Sequence, residues 1–255
     1  MLGVFGLKIG LIGVGTIGGF LVKRIQEDSS LELCFVLDID PEKVKDFSED
    51  IVINSISEMG AKKPDLVIEA ASQQAIGQYA EHVLSTTNFL VLSVGAFADK
   101  GLEEKVKGLC KSNGTKLFAP SGAIAAIDLL KAMQSELEEV EIVSRKNPKG
   151  WGREDSEKTI IFEGTAREAC KAYPKNINIS ATVSLNGIGF DKTTVKLVSD
   201  PDCGGNRHTL NVKHAFGNFV LDVKAQPTKN PKTSSTAAYS AFDLVKKIQN
   251  GINIF

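Results

Sequence analysis

The chain has little of what several specialised chemistries require. Of its 255 residues four are cysteine, three histidine and one tryptophan. Cys34, Cys110, Cys170 and Cys203 are scattered and form no C-x-x-C pair. That excludes a disulfide framework and a cysteine zinc site, and fits a reducing, cytoplasmic setting. His82, His208 and His214 form neither H-E-x-x-H nor H-x-H, so no metal site is expected. The longest uncharged apolar stretch, Ile9 to Val22, holds five glycines and is too short to cross a bilayer. No cationic segment precedes a cleavable apolar one, so export is not expected. The net charge of −1 offers no basic field for nucleic acid or an anionic membrane.

What is present is an ordinary globular composition, 42% hydrophobic and 24% charged, long enough for one large domain or two modest ones. The first half alternates short apolar runs with helical spacing. Leu7 to Ile12, Leu31 to Leu37, Asp65 to Glu69, Phe89 to Ser93 and Thr115 to Ala119 read as strands. Apolar positions 17, 20, 21 and 25 have helix spacing, and Ala75 to Leu84 and Leu102 to Cys110 are read as further helices. Strands alternating with helices imply a parallel sheet. The second half changes character. Ile124 to Met133 still reads as a helix, and Val140 to Ser144 and Thr159 to Phe162 read as strands around a charged loop, Lys146 to Lys158. Lys192 to Val198, His208 to Val212 and Phe219 to Val223 alternate as half-solvated antiparallel strands do. Asn178 to Leu185 is undecided between strand and helix. Thr233 or Ser234 is placed to cap a last helix reaching about Gln249.

Gly13-Val-Gly15-Thr-Ile-Gly18 follows the first strand and opens the first helix. G-x-G-x-x-G alone is a weak signal, but here it stands in the required strand–turn–helix setting. Gly13 permits the tight turn, Gly15 lets a pyrophosphate approach the backbone, and Gly18 lets helix pack on strand. Thr16 and Ile17 lie at the helix N-terminus, where free N–H groups and the dipole favour an anion. Asp38 ends the second strand, 25 residues past Gly13, near the spacing of a carboxylate that binds a ribose 2′-hydroxyl. Such a carboxylate favours NAD over NADP. Asp40 competes for that role, and alternatively caps a helix that Pro41 starts.

In such lobes the nicotinamide lies at the carboxyl ends of the strands. The loops to examine are Glu69 to Gln74, Ser93 to Ala96 and Pro120 to Asp128. His82 falls on a helix and reads as a surface residue. His208 and His214, six apart, share a face if they share a strand, and either is a candidate general base. Cys203, before Gly204-Gly205, reads as structural rather than nucleophilic. Trp151, between two glycines, reads as a loop anchor, and Glu136 to Glu141 as a solvated face.

Several segments taken together carry a more specific signal. They are Gly10-Leu-Ile-Gly-Val-Gly-Thr-Ile-Gly18, Glu69-Ala-Ala-Ser-Gln-Gln74, Leu92-Ser-Val-Gly-Ala-Phe-Ala98 and Pro120-Ser-Gly-Ala-Ile-Ala-Ala-Ile-Asp128. Arg145-Lys-Asn147, Phe162-Glu-Gly164, Tyr173-Pro-Lys-Asn-Ile-Asn178 and Asp200-Pro201 follow, then Asn206-Arg-His208, Phe216-Gly217 and Asn230-Pro-Lys-Thr-Ser234. With these motifs in this order, the chain closely resembles the L-aspartate dehydrogenase family from end to end.

The resemblance implies an α/β protein. An N-terminal Rossmann-type parallel-sheet lobe, residues 1–122 with a C-terminal helix from about 233–255, is joined to a mixed α+β substrate and dimerisation lobe, residues 123–232. It implies NAD(P)-dependent oxidative deamination of L-aspartate to iminoaspartate, which water converts to oxaloacetate and ammonia, or which feeds quinolinate and hence NAD synthesis. His208 matches the catalytic histidine, and His214 falls where none is needed. Ala71, Ser72, Ala123 and Asn178 match cofactor contacts, alongside Gly13, Gly15, Thr16, Ile17, Gly18 and Asp38. The resemblance also makes Asn178 onward helical, and implies a cytoplasmic homodimer. Ala125-Ala126 departs from the glycines frequent in the family at those positions.

A dianionic substrate requires positive partners. Arg145, Lys146, Arg153, Arg167, Arg207, Lys213 and Lys232 are candidates, with Thr233 and Ser234 as possible N–H donors; which converge stays open. Residues 1–122 hold 12 Lys+Arg against 16 Asp+Glu, and the remainder 18 against 15, so a mildly acidic cofactor lobe precedes a mildly basic one. The alternatives are another NAD(P) enzyme, homoserine dehydrogenase-like or dihydrodipicolinate reductase-like, and a non-catalytic dinucleotide sensor.

Overall fold

A computed structural model describes residues 6–174, 176–225 and 235–251. They fall into two units. The first comprises residues up to Ala96, Lys100–Pro120 and the chain from Ala237; the second comprises Phe97–Asp99 and Ser121–Thr236.

The first unit is built on β1 (Leu7–Ile12), α1 (Thr16–Gln26), β2 (Leu31–Leu37), α2 (Met59–Lys62), β3 (Leu66–Glu69), α3 (Gln73–Leu84), β4 (Asn88–Val91), α4 (Lys100–Asn113) and β5 (Leu117–Phe118). The strands form one parallel sheet in the order β2-β1-β3-β4-β5. Short apolar strands of this kind are buried on both faces, because the connecting helices cover them. Ile9, Leu11, Leu66, Ile68 and Leu90 are fully buried, and Leu21, Val22 and Ile25 of α1 pack into the same core. The last helix, Ser235–Asn250, contributes Ala241 and Val245 to that core. Lys246 ties it down, donating to Asp28 at 2.6 Å and to Ser30 Oγ at 3.0 Å. β5 is shorter than its reading from Thr115 to Ala119: it is an edge strand, and only Leu117 and Phe118 pair.

The second unit runs through α5 (Ile127–Ala132), β6 (Leu137–Lys146), α6 (Pro148–Trp151), β7 (Thr159–Thr165), α7 (Ala166–Ala172), α8 (Asn178–Asn186), β8 (Thr194–Ser199), β9 (Asn206–His214) and β10 (Gly217–Ala225); the last helix is α9. The sheet order is β10-β9-β6-β8-β7. β9 and β10 alternate and pair antiparallel as expected, and the structure joins them as a hairpin. β8 departs from its reading: it pairs parallel with β6 and is enclosed between β6 and β7. Leu197, Val198 and Ser199 are consecutively buried, so the alternation of a half-solvated strand is lost there.

Two local readings change, and one undecided segment is resolved. The helix expected over Ile124 to Met133 starts only at Ile127, because Ala126 takes a left-handed φ of 58°. The charged loop after β6 contains one helical turn, α6, capped by Asn147 Oδ1 accepting from the Lys149 N–H. Asn178 onward, undecided from its residues, is helical as the family resemblance implies, despite its Thr and Val. Thr182 Oγ1 and Ser184 Oγ donate to the carbonyls four residues back, as does Asn186 Nδ2. That back-bonding satisfies polar side chains inside a helix buried nearly all round. Thr233 and Ser234 lie outside the described residues.

Among the described residues no helix is long and apolar enough to cross a membrane.

Candidate functional site

In the first unit the chain leaves β1 through the glycine turn. Gly13 has φ +90°, and its N–H donates to the Leu37 carbonyl at 2.7 Å. A Cβ there would lie 2.7 Å from the Ala71 methyl, and one on Gly18 would lie 2.0 Å from the Gly13 carbonyl oxygen. Any side chain at either position would force the turn apart. At Gly15 a Cβ would meet nothing within 4 Å, so the backbone is bare on the side a ligand approaches. Thr16 and Ile17 begin α1, whose first turn carries no acidic residue. Strand β1 lies between β2 and β3, where the sheet order reverses, and such a switch point is where parallel sheets hold ligands. The residues therefore fit a dinucleotide pyrophosphate at the N-terminus of α1.

Asp38 and the loop after β3 meet the same turn. Asp38 Oδ2 accepts from the Val14 N–H at 2.7 Å, and Oδ1 accepts from the Asp40 N–H at 2.9 Å. Lys43 Nζ stands 3.8 Å from Oδ1. Asp40 caps the turn that Pro41 begins, its Oδ1 accepting from the Glu42 N–H. Ser72 caps α3 through the Ala75 N–H, while Ala71 packs against Gly13. The sequence reading passed over Glu69 as a functional residue. It is fully buried, and burial pushes its carboxyl up while hydrogen bonds pull it down. It accepts from the N–H groups of Ala71, Leu92 and Ser93 and from Ser93 Oγ, binding the loops after β3 and β4 together. A glutamate closing an otherwise apolar Leu-Val-Ile strand is the signal that could have revealed it.

In the second unit His208 lies on β9 opposite Ser144 of β6. The ring is 4% exposed, and Nδ1 is 2.9 Å from Ser144 Oγ. Among the described residues Nε2 has no partner. Burial first, and the Lys146 charge second, push His208 down to about 4, so the imidazole is neutral at pH 7. His214 sits at the far end of β9, about 20 Å away by strand rise. Its Nδ1 accepts from the Phe216 N–H, so the two histidines do not act together. His82 is exposed. Ala123 is buried beside Ile124, and Asn178 begins α8.

Lys146 shares the His208 face of the sheet, two residues beyond Ser144. Its Nζ donates to Asn176 Oδ1 at 2.9 Å and stands 4.6 Å from the centre of the Trp151 ring. Trp151 is anchored by Nε1 donating to the Val198 carbonyl at 3.0 Å. The other described candidate cations carry carboxylates. Arg145 faces Asp200 at 3.6 Å, Arg153 Asp155 at 2.6 Å, Arg167 Asp191 at 2.5 Å and Arg207 Asp222 at 2.7 Å. Lys213 lies between Glu138 and Glu139. Among the described residues Lys146 has no carboxylate partner; Lys232 lies outside them. Cys203 is held by the Gly205 carbonyl, and burial raises the Cys34 and Cys170 thiols to about 11 and about 12, far from nucleophilic thiolates.

Comparison with known proteins bears on both units. The family profile described as "Aspartate dehydrogenase, C-terminal" matches residues 128–248, and "Homoserine dehydrogenase, NAD binding domain" matches residues 13–120. The chain is 38% identical to an L-aspartate dehydrogenase of Methanosarcina mazei, over 97% of this chain and 99% of that one. It is 36% identical to another from Archaeoglobus fulgidus, over 96% and 99%. Among solved structures, aspartate dehydrogenase from Thermotoga maritima superposes with a TM-score of 0.81 at 28% identity, covering 98% of this chain and 99% of that one. A hyperthermophilic archaeal homoserine dehydrogenase in complex with NADPH shares the fold at a TM-score of 0.62 and 12% identity, covering 98% and 99%.

Proposed function

The chain belongs to the L-aspartate dehydrogenase family, whose cofactor is a nicotinamide dinucleotide, and from that premise we propose that it oxidatively deaminates L-aspartate. The observation that carries this reading is His208: a buried, neutral imidazole held at Nδ1 by Ser144, its Nε2 without a partner among the described residues.

In the proposed reaction the Cα–H bond breaks with its electron pair and the amine loses a proton, leaving iminoaspartate. The bound nicotinamide supplies the hydride acceptor. His208 accepts the proton from the amine, or from the water that attacks the imine to give oxaloacetate and ammonia. Positioned general-base help of this kind contributes roughly 10² to 10⁴ in rate. Ser144 fixes the ring orientation, so that one nitrogen is committed and the other faces the reactant. Gly13, Gly15, Thr16, Ile17 and Gly18 hold the pyrophosphate, Ala71 and Ser72 border it, and Ala123 and Asn178 contact the nicotinamide end. Asp38 favours NAD over NADP. Iminoaspartate released before hydrolysis feeds quinolinate and NAD synthesis. The protein works as a cytoplasmic homodimer; Ile160, Phe216 and Val220, exposed in the second unit, support such an assembly.

NAD(P)H formation with L-aspartate, set against D-aspartate, L-glutamate and L-homoserine, tests the reading. L-aspartate should be preferred. His208→Ala should lose most of kcat and keep NAD binding, with His214→Ala near wild type. The reverse pattern for the two histidines would reject the assignment, and NAD binding without turnover of any amino or hydroxy acid would leave a sensor.

A further inference from the structure

We propose that Lys146 binds a carboxylate of the amino-acid substrate beside His208, an inference that rests on the dicarboxylate reading above. Three observations carry it. Lys146 is partly buried with its ammonium directed to Asn176 and the Trp151 ring, neither of which neutralises it. Every other described cation considered for this role has a carboxylate within 4 Å. And Lys146 is the charge that acts on His208.

A cation withdrawn from water without a counter-ion is costly to the fold. Burial lowers the Lys146 ammonium to about 8, which is the signature of that cost. An anion arriving from solution removes it. Trp151 and Asn176 hold the ammonium in place without cancelling its charge, so the group is organised for a ligand rather than for the free protein. A bound carboxylate also screens His208 from Lys146, which strengthens the base only when substrate is present.

The experiment compares wild type with Lys146→Met, similar in length and uncharged. Four quantities are read: KM and kcat for L-aspartate, NAD affinity, calorimetric affinity for succinate with NAD present, and the ligand-free Tm. KM should rise, and succinate affinity fall, by roughly 10- to 100-fold, the loss of one charge-assisted hydrogen bond. NAD affinity should hold, and Tm should stay level or rise. A lysine that merely braced the fold would instead lower Tm on removal. L-Asparagine identifies the carboxylate. An equal penalty for L-aspartate and L-asparagine assigns the α-carboxylate, and a penalty confined to L-aspartate assigns the side-chain one.

If KM and succinate affinity both stay within about twofold of wild type, the inference is overturned while the aspartate reading stands. If wild type fails to oxidise L-aspartate yet binds succinate through Lys146, the reading falls and the carboxylate site stands. Should Lys146→Met not fold, Lys146→Gln, which keeps a donor for Asn176, enters the same comparisons.

Discussion

Glu69 Oε1 accepts from the Ser93 hydroxyl at 2.8 Å while its Oε2 accepts from the Ser93 N–H at 3.0 Å. One carboxylate thereby fastens the end of β4 to the end of β3, and through the Ala71 N–H it also fixes the residue packed on Gly13. Glu69→Gln replaces one acceptor oxygen with an NH₂ that faces N–H donors. An unsatisfied buried donor costs about 1–3 kcal/mol. The variant should lose about that much unfolding free energy, read as a lower Tm or urea midpoint, and should bind NAD more weakly because the loop against the glycine turn loosens. Unchanged stability would mean that the loops hold each other without the carboxylate.

His208 makes stability depend on pH in a defined window. Its ordinary value is 6.5, and in the folded protein it is lowered to about 4. Between those values the unfolded chain binds the proton and the folded one does not. The contribution is therefore fully present above pH 6.5, is lost as pH falls, and levels off near pH 4. The limiting slope for one group is about 1.36 kcal/mol per pH unit. Carboxylates titrate in the same range, so the difference between wild type and His208→Asn is the quantity to measure. Denaturant midpoints from pH 4 to 7.5 should converge toward the acid end; parallel curves would show that His208 titrates normally.

Much of this was legible from residues alone, for physical reasons. The parallel lobe shows because buried strands read as apolar runs and its glycine turn has a steric requirement at each position. The residues alone left His208 and His214 level as candidate bases; it was the family resemblance of Asn-Arg-His that singled out His208. Lys146 stood only as one of seven equal cations: which of them lack carboxylates depends on pairings such as Arg207–Asp222 across two strands, which no linear pattern displays. The parallel register of β8 was hidden for the same reason; the helix from Asn178 was undecided from its own residues, whose Thr and Val favour a strand, and came only with the family resemblance.

Ala126 is, with Lys63, one of two described non-glycine residues in the left-handed region. It holds φ 58° at the N-cap of α5, a conformation that costs a residue with a Cβ roughly 1–2 kcal/mol. Glycine adopts it freely, though with more entropy to lose on folding. Ala126→Gly should therefore leave stability level or raise it by up to about 1 kcal/mol, the reverse of the usual effect of Ala→Gly. A clear drop in Tm would show that the methyl makes compensating contacts.

Asp38 decides between two roles in one measurement. Its carboxylate has about four lone-pair sites, and the N–H groups of Val14 and Asp40 take two of them. The remaining sites can accept ribose hydroxyls, and the negative charge opposes a 2′-phosphate; Lys43 at 3.8 Å is partly exposed and offsets that charge only weakly. Asp38→Ala removes both functions, but they leave different marks. Loss of the bond to Val14 loosens the glycine turn and weakens NAD and NADP alike. Loss of the ribose contact and the repulsion weakens NAD and spares NADP. Affinity for NAD should fall about tenfold or more, with the NAD/NADP ratio moving toward one. Equal weakening of the two would confine Asp38 to holding the turn.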